Sequence, residues 1–208
     1  MIVLADNDIL IKLACCDLFV EFQNAFGVTA EDIRILKTAR FSITTPKHRR
    51  RIGEASFSRL TAFLAAIADI DTNPDPAIIA ALTEQTNINP GEAVLYTVCP
   101  CIPNSVIVTG DNKSLAGLAA ARTEDATCAE LYHALAGRVF CFEHVLSRIL
   151  EQFGFSHIRQ RLIDGRECDR GLALWLGSGL DATESGFRDG LASYLNHARQ
   201  ECGELLAT

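Results

Sequence analysis

The 208 residues are 49% hydrophobic, with a net charge of −7 and eight cysteines, enough apolar side chain to bury a full core as one domain or as one domain with an appendage. No apolar run approaches the roughly 20 residues of a membrane-spanning helix, and the apolar start lacks the basic flank of a secretory leader, so a cytoplasmic protein with no membrane association and reduced thiols is expected. The acidity argues against general affinity for nucleic acid, but residues 34–59 hold eight basic residues against one acid, Glu54, which suggests either a face that meets a polyanion or a solvated, partner-facing helix start.

Ile2-Val3-Leu4-Ala5 reads as a short strand that ends at Asp6-Asn7-Asp8 and passes into the helical pattern of Ile9, Leu10, Leu13 and Ala14, placing Asp6 where a strand meets a helix. That helix is expected from Asn7 to about Phe26, closed by Gly27, with Cys15 and Cys16 as packing residues. Thr29 and Asp32 spell a capping box for a second helix to about Thr38, Arg40 to Pro46 reads as a short strand or extended crossing, and a long amphipathic helix comes next, from Lys47 to Ile67. Its first turn carries Lys47, His48, Arg49, Arg50 and Arg51; cations there oppose the helix dipole by about 0.3–1 kcal/mol each, so some other role is indicated for them.

The stretch Asp71 to Asp75, with Asn73-Pro74, marks a break before a helix from about Pro76 to Glu84. Asn89-Pro90-Gly91-Glu92 spells a helix start residue by residue, with Glu92 at the position that bonds back to the cap amide, so capping alone is one account of that glutamate. Ser105 to Thr109 is the second clear strand, succeeded by Gly110-Asp111 and a helix from Asn112 to about Arg122; a lone aspartate there is most simply an N-cap. A helix at about Glu124 to Leu135, a strand Arg138 to Phe142 and a helix Glu143 to Phe153 complete the alternation. Strands alternating with helices give a three-layer α/β/α fold around a central parallel sheet over residues 1–153. Residues 154–208 read as helices only (Ser156 to Leu162, Arg170 to Leu176, Glu184 to Leu206), an α-helical C-terminal extension in which Trp175 is a core or interface anchor.

In a parallel sheet Asp6, Glu92 and Asp111 all fall on the C-terminal edge, each in the first turn of a helix. Carboxylates gathered there repel one another unless a cation neutralises them, and Mg²⁺ or Mn²⁺ is the economical occupant for phosphate chemistry. Cys99-Pro-Cys101 has no second cysteine pair nearby and the five histidines sit at no metal-ligand spacing with a cysteine, so neither set indicates zinc.

The apolar start ending in Asp6, Pro90-Gly91-Glu92-Ala93 at a mid-chain helix start, and Val106-Ile107-Val108-Thr109-Gly110-Asp111 after a late strand resemble the three signature segments of the PIN domain, a metal-dependent nuclease family. The resemblance covers residues 1–153. It implies catalytic, metal-holding roles for Asp6, Glu92 and Asp111, with Asp8 and Glu54 as supplementary ligands. It also implies hydrolysis of phosphodiester bonds in single-stranded RNA with Mg²⁺ or Mn²⁺, and contacts to the RNA backbone from Arg49, Arg50, Arg51 and Lys113. Small nucleases of this kind are often toxins held by an antitoxin, so a protein partner or a homo-oligomer seated on the extension is a further expectation. Two departures from the family pattern stand out: Glu54 is the one acid between Lys47 and Glu54, and Asn112, Lys113 and Ser114 come after Asp111 where another acid is common. The residues leave two alternatives open, a non-catalytic PIN-like binding protein whose acids serve as caps and a haloacid-dehalogenase-type phosphatase using Asp6 and Asp8.

Overall fold

Ile2, Val3, Leu4 and Ala5 form β1, the middle strand of a sheet whose order is β3-β2-β1-β4-β5 once β2 (Ile33–Ile35), β3 (Ala68–Asp69), β4 (Ser105–Thr109) and β5 (Val139–Cys141) are placed. The computed structural model describes residues 1–71, 74–85 and 87–207. All four pairings are parallel, with Val3 opposite Ile33 and Ala5 opposite Val108. Successive side chains of a strand point to opposite faces, and β1 obeys this: Val3 and Ala5 join the core on one side, Leu4 the core on the other. Helices cover both faces, as the alternating pattern indicates.

The first core holds α1 (Asn7–Cys16), α2 (Phe19–Phe26) and parts of α3 (Ala39–Ser42) and α4 (Pro46–Ala66). The second receives α5 (Pro76–Thr83), α6 (Pro90–Val98), α7 (Asn112–Ala121) and α8 (Ala126–Ala134). After β5 come α9 (Phe142–Phe153), α10 (Phe155–Gly165), α11 (Arg170–Trp175) and α12 (Glu184–Cys202).

Four local expectations are corrected. The single helix from Asn7 to Phe26 is two, because Asp17 takes the left-handed conformation (φ 53°) and its N–H closes the end of α1. The Thr29–Asp32 capping box forms, with Thr29 N donating to Asp32 Oδ2 at 2.8 Å, but it opens only a 3₁₀ turn. The chain then becomes β2, since Ile33 and Ile35 alternate with Arg34 and both are fully buried. Arg40 to Pro46 is not a strand: α3 forms instead, pinned by Arg40, whose guanidinium donates to Asp69 Oδ1 (2.7 Å), to the Ile67 carbonyl (2.6 Å) and to the Leu64 carbonyl. Finally α4 is broken at Gly53 (φ 78°), so the basic run belongs to a short first piece. Asn73, part of the expected break, lies outside the described residues.

Residues 154–207 share the cores of the sheet domain. Ile158, Leu162, Leu172 and Phe187 pack in the same cluster as Val3 and Leu10, while Ala198 and Cys202 of α12 reach the second cluster. Ala207 N donates to the Val139 carbonyl at 2.9 Å, and Leu206 forms a parallel bridge to Val139 beside β5. Trp175 is a core anchor, in edge contact with Phe187 at 5.7 Å. Gly190 lies against its ring, and no Cβ fits there. A chain ending at Phe153 therefore exposes apolar faces of α1, α7 and α9, and circular dichroism should find no cooperative thermal unfolding for it; a sharp transition at the full-length temperature would overturn this.

Candidate functional site

The strand order places β1 between β2 and β4, so the chain leaves β1 and β4 toward helices on opposite faces, and a crevice opens between those two strand ends. Asp6 and Asp111 stand at its two sides. Asp6 caps α1, with Oδ1 accepting from Asn7 N; Asp111 caps α7, with Oδ1 accepting from Lys113 N at 2.9 Å and Ser114 N at 3.3 Å. Thr109 joins them: its Oγ1 donates to Asp6 Oδ2 at 3.0 Å and accepts from Asp111 N at 3.1 Å. Burial pushes the Asp6 carboxyl above its ordinary range, aided by the Asp8 charge and opposed by the bonds from Thr109 and Asn7.

Glu92 comes to the same place from α6. Its Oε2 accepts from Asn89 N at 2.8 Å while Asn89 Oδ1 accepts from Glu92 N at 3.1 Å, a complete capping box. Yet the side chain is buried at 4% exposure, and burial moves its pKa from 4.5 to about 7, with the charges of Asp111 and Asp6 adding to the rise and bonds from Asn89 and Ser114 opposing it. Glu92 is near enough to both aspartates for their charges to bear on it, and Ser114, whose backbone amide Asp111 holds, lies between Glu92 and Asp111. Ser114 is fully buried, 2.7 Å from the hydroxyl of buried Tyr96. Burial likewise drives the Tyr96 phenol well above its ordinary value, and all three acids contribute.

Of the other expected site residues, Glu54 and the basic run lie on α4, whereas Asp8 and Lys113 flank Asp6 and Asp111. Glu54 is exposed on α4 and engaged by Arg49 through a two-point ion pair (2.6 and 2.7 Å), and Arg49 is the charge that bears on it. Arg50 and Arg51 are exposed. Arg51 lines a cavity of about 320 Å³ together with Asp8, Ser56, Cys15 and Cys168; Asp6, Glu92 and Asp111 do not line it. Lys113 is exposed and its backbone amide is held by Asp111. Asp8 is paired with the Lys12 ammonium at 2.8 Å.

Several residues at this edge are absent from the sequence-based expectation. Lys12 is one, and Asp169, which pairs with it from the cap of α11, is another. Glu143, in the first turn of α9 after β5, is buried and within 3.4 Å of Asn112 Nδ2. A strand-end acid after the third recognised strand is the same signal that marks Asp6 and Asp111, and it would have found Glu143; nothing local marks Lys12 or Asp169.

Among the described residues no three His, Cys, Asp or Glu side chains converge on a point where a metal ion could be held. The donor chemistry nevertheless suits a hard divalent cation. Asp6, Glu92 and Asp111 offer only oxygen, two of them are desolvated, and among the described residues none is ion-paired with Lys, Arg or His. No family model matches the chain, and no curated protein or solved structure matches it.

The raised pKa of Glu92 has a consequence for stability. Because folding raises it, stability is full below about pH 4.5 and falls as pH rises to about 7, by on the order of 3 kcal/mol. Thermal melts of metal-free protein between about pH 5 and about pH 7.5 should show this decline, and Glu92→Gln, whose amide oxygen still serves the capping box, should flatten it. Gly110→Ala places a Cβ on the Asp8 carboxylate and 3.0 Å from Lys12 Nζ; a destabilisation of about 1–3 kcal/mol is expected from denaturant melts.

Proposed function

We propose that the chain is a PIN-like metal-dependent nuclease that hydrolyses phosphodiester bonds of single-stranded RNA at the edge formed by Asp6, Glu92 and Asp111. The observation that carries this reading is the linkage of Asp6 to Asp111 through Thr109 at the switch point of the sheet, with Glu92 held there in a state that the other two acids disfavour as an anion. Bound to these carboxylates, Mg²⁺ or Mn²⁺ would supply a Lewis acid for the phosphate and lower the pKa of water. The chain's own part is to keep the carboxylates fixed. Asp6 and Asp111 are each anchored by backbone amides of their helices, and Thr109 fixes their separation.

The basic segment supplies the surface for the RNA backbone. Arg50 and Arg51 are exposed on the first piece of α4, and Phe41, 74% exposed, lies on the neighbouring α3. Ser42 of that helix accepts from the Asn7 side chain at 3.3 Å, which ties α3 to the residue next to Asp6. A basic surface beside an exposed aromatic suits single strands, whose phosphates take the charge and whose bases can stack.

A second reading is favoured by the capping geometry: each of the three acids satisfies a helix terminus, as in a PIN-like binding protein without catalysis. One experiment separates the two. Cleavage of a single-stranded RNA by purified protein with Mn²⁺ is expected, and Asp6→Asn or Asp111→Asn should lower the rate at least about 100-fold, as removing a metal ligand costs several kcal/mol of transition-state stabilisation. Cleavage that survives both substitutions would refute the nuclease reading, and RNA binding without cleavage would favour the second.

A further inference from the structure

Cys15 reads in the sequence as a packing residue of α1, but it is half-buried and lines the cavity of about 320 Å³ together with Cys168, which stands half-buried at the end of a 3₁₀ turn, Arg166–Cys168. Cys16, beside it on the helix, is fully buried and does not line that cavity. α10 and the turn are pressed onto the end of α1. A Cβ at Gly165 would stand 2.7 Å from Cys16 Sγ and 2.8 Å from the Cys15 carbonyl oxygen, so no side chain separates the two segments there. All eight cysteines are free thiols.

An ion pair sets the register. Asp169, next in the chain to Cys168, meets Lys12 Nζ at 2.9 Å, and Cys15 lies three residues after Lys12, on the same side of α1. Lys12 with Asp169 and Cys15 with Cys168 are thus adjacent rungs between the helix and the segment after residue 153. The Cys15 thiol is within hydrogen-bonding reach of Cys168, which holds its proton on the sulfur; burial acts in the same sense, while Ser56 and the Arg51 charge oppose it. Cys15 in turn helps Cys168 to ionise, but Cys16 and burial outweigh that help, so both sulfurs are held above the ordinary thiol range. Both are therefore thiols at neutral pH and slow to react, and Cys168 is the one whose neighbour assists it.

We propose that Cys15 and Cys168 are a modification site for hydroperoxides, oxidised to a reversible disulfide that staples α1 to the segment after residue 153. The cavity gives a small oxidant access to both sulfurs, and because Asp8, Asp164 and Glu167 also line it, an uncharged oxidant is favoured over an anionic one. In the first step Cys168 Sγ attacks the hydroperoxide: an S–O bond forms, the O–O bond breaks, and the sulfur gives up two electrons to become a sulfenic acid. The thiol proton leaves with the released alcohol, or with water when the oxidant is hydrogen peroxide. Arg51, at the cavity wall, is the cation beside that departing oxygen. Cys15 Sγ then attacks the sulfenic sulfur; the S–S bond forms, the S–O bond breaks, and the hydroxyl departs with the Cys15 proton as water. Two thiols and one hydroperoxide thus give one disulfide, one alcohol and one water. The bond closes a loop of about 150 residues, and cross-links over long loops constrain the unfolded chain most. Nothing in this inference depends on a metal at the strand ends.

The test treats the full chain with hydrogen peroxide, blocks remaining thiols by alkylation and maps tryptic peptides without reductant. Wild type should yield Leu13–Arg34 joined to Glu167–Arg170, two hydrogens lighter than the separate peptides. The link should vanish in Cys15→Ser and in Cys168→Ser and persist in Cys16→Ser. The oxidised protein should melt about 5–15 °C higher than the reduced one, and dithiothreitol should restore the original melting temperature. Peroxide that oxidises exposed Cys101 but leaves Cys15 and Cys168 unlinked overturns the inference, as does a link that survives Cys15→Ser and is lost in Cys16→Ser. A linked protein whose melting temperature does not rise overturns the staple. Should a serine variant fail to fold, fragmentation of the linked wild-type peptide decides: a bond at Cys15 supports the inference, and a bond at Cys16 overturns it.

Discussion

The parallel pairing of β1 with β4 is the constraint on which the rest of the architecture depends. Ala5 lies opposite Val108, and Asp6 N donates to the Val108 carbonyl at 3.0 Å, so the two strands end at the same level. Both then turn into helices, and each turn is made by an aspartate that caps the helix it opens. A single threonine spans the gap, over a sequence separation of 103 residues. Had the strands been antiparallel, the same two capping aspartates would sit at opposite ends of the sheet and have nothing to do with each other.

The edge is a balance between two demands on the same groups. Capping favours ionised carboxylates, because the N-terminal amides of a helix carry partial positive charge. Burial and mutual repulsion disfavour them, and for Glu92 these win despite a complete capping box. The helix termini therefore position the acids without relieving their electrostatic conflict, and that unrelieved conflict distinguishes this edge from an ordinary set of helix starts such as the one capped by half-buried Asp125, which hydrogen bonding holds below its ordinary pKa.

Much of this was legible in the sequence wherever the signal is local. A β-branched run ending in an acid and the Asn-Pro-Gly-Glu helix start announce Asp6, Asp111 and Glu92 without knowledge of the fold, and alternation announces the parallel sheet. The features that escaped are short or distant. β2 and β3 have three and two residues, too few for periodicity to show; β2 exists because β1 offers it an edge to pair with, and β3 because β2 does in turn. Gly53 breaks a helix whose apolar pattern runs straight through it. Lys12 looks in the sequence like one more polar position on an amphipathic helix; its partner Asp169 lies in a segment that the end of the strand pattern sets apart as an extension, yet Trp175 over Gly190, and Ile158 in the same buried cluster as Leu10, make that segment part of the core.

The long sequence separation of β1 from its partner β4 has a kinetic side. During synthesis the strand at the centre of the sheet emerges about a hundred residues before its partner β4, and the counter-charges of the buried lysine on α1 are completed only by a residue of α11's cap. Contacts this far apart in sequence close late, after large losses of chain entropy. A nascent chain of this topology carries β1 unpaired and the lysine of α1 with only part of its counter-charge until β4 and the cap of α11 have emerged, a period in which the open edges of β1 can associate with other chains.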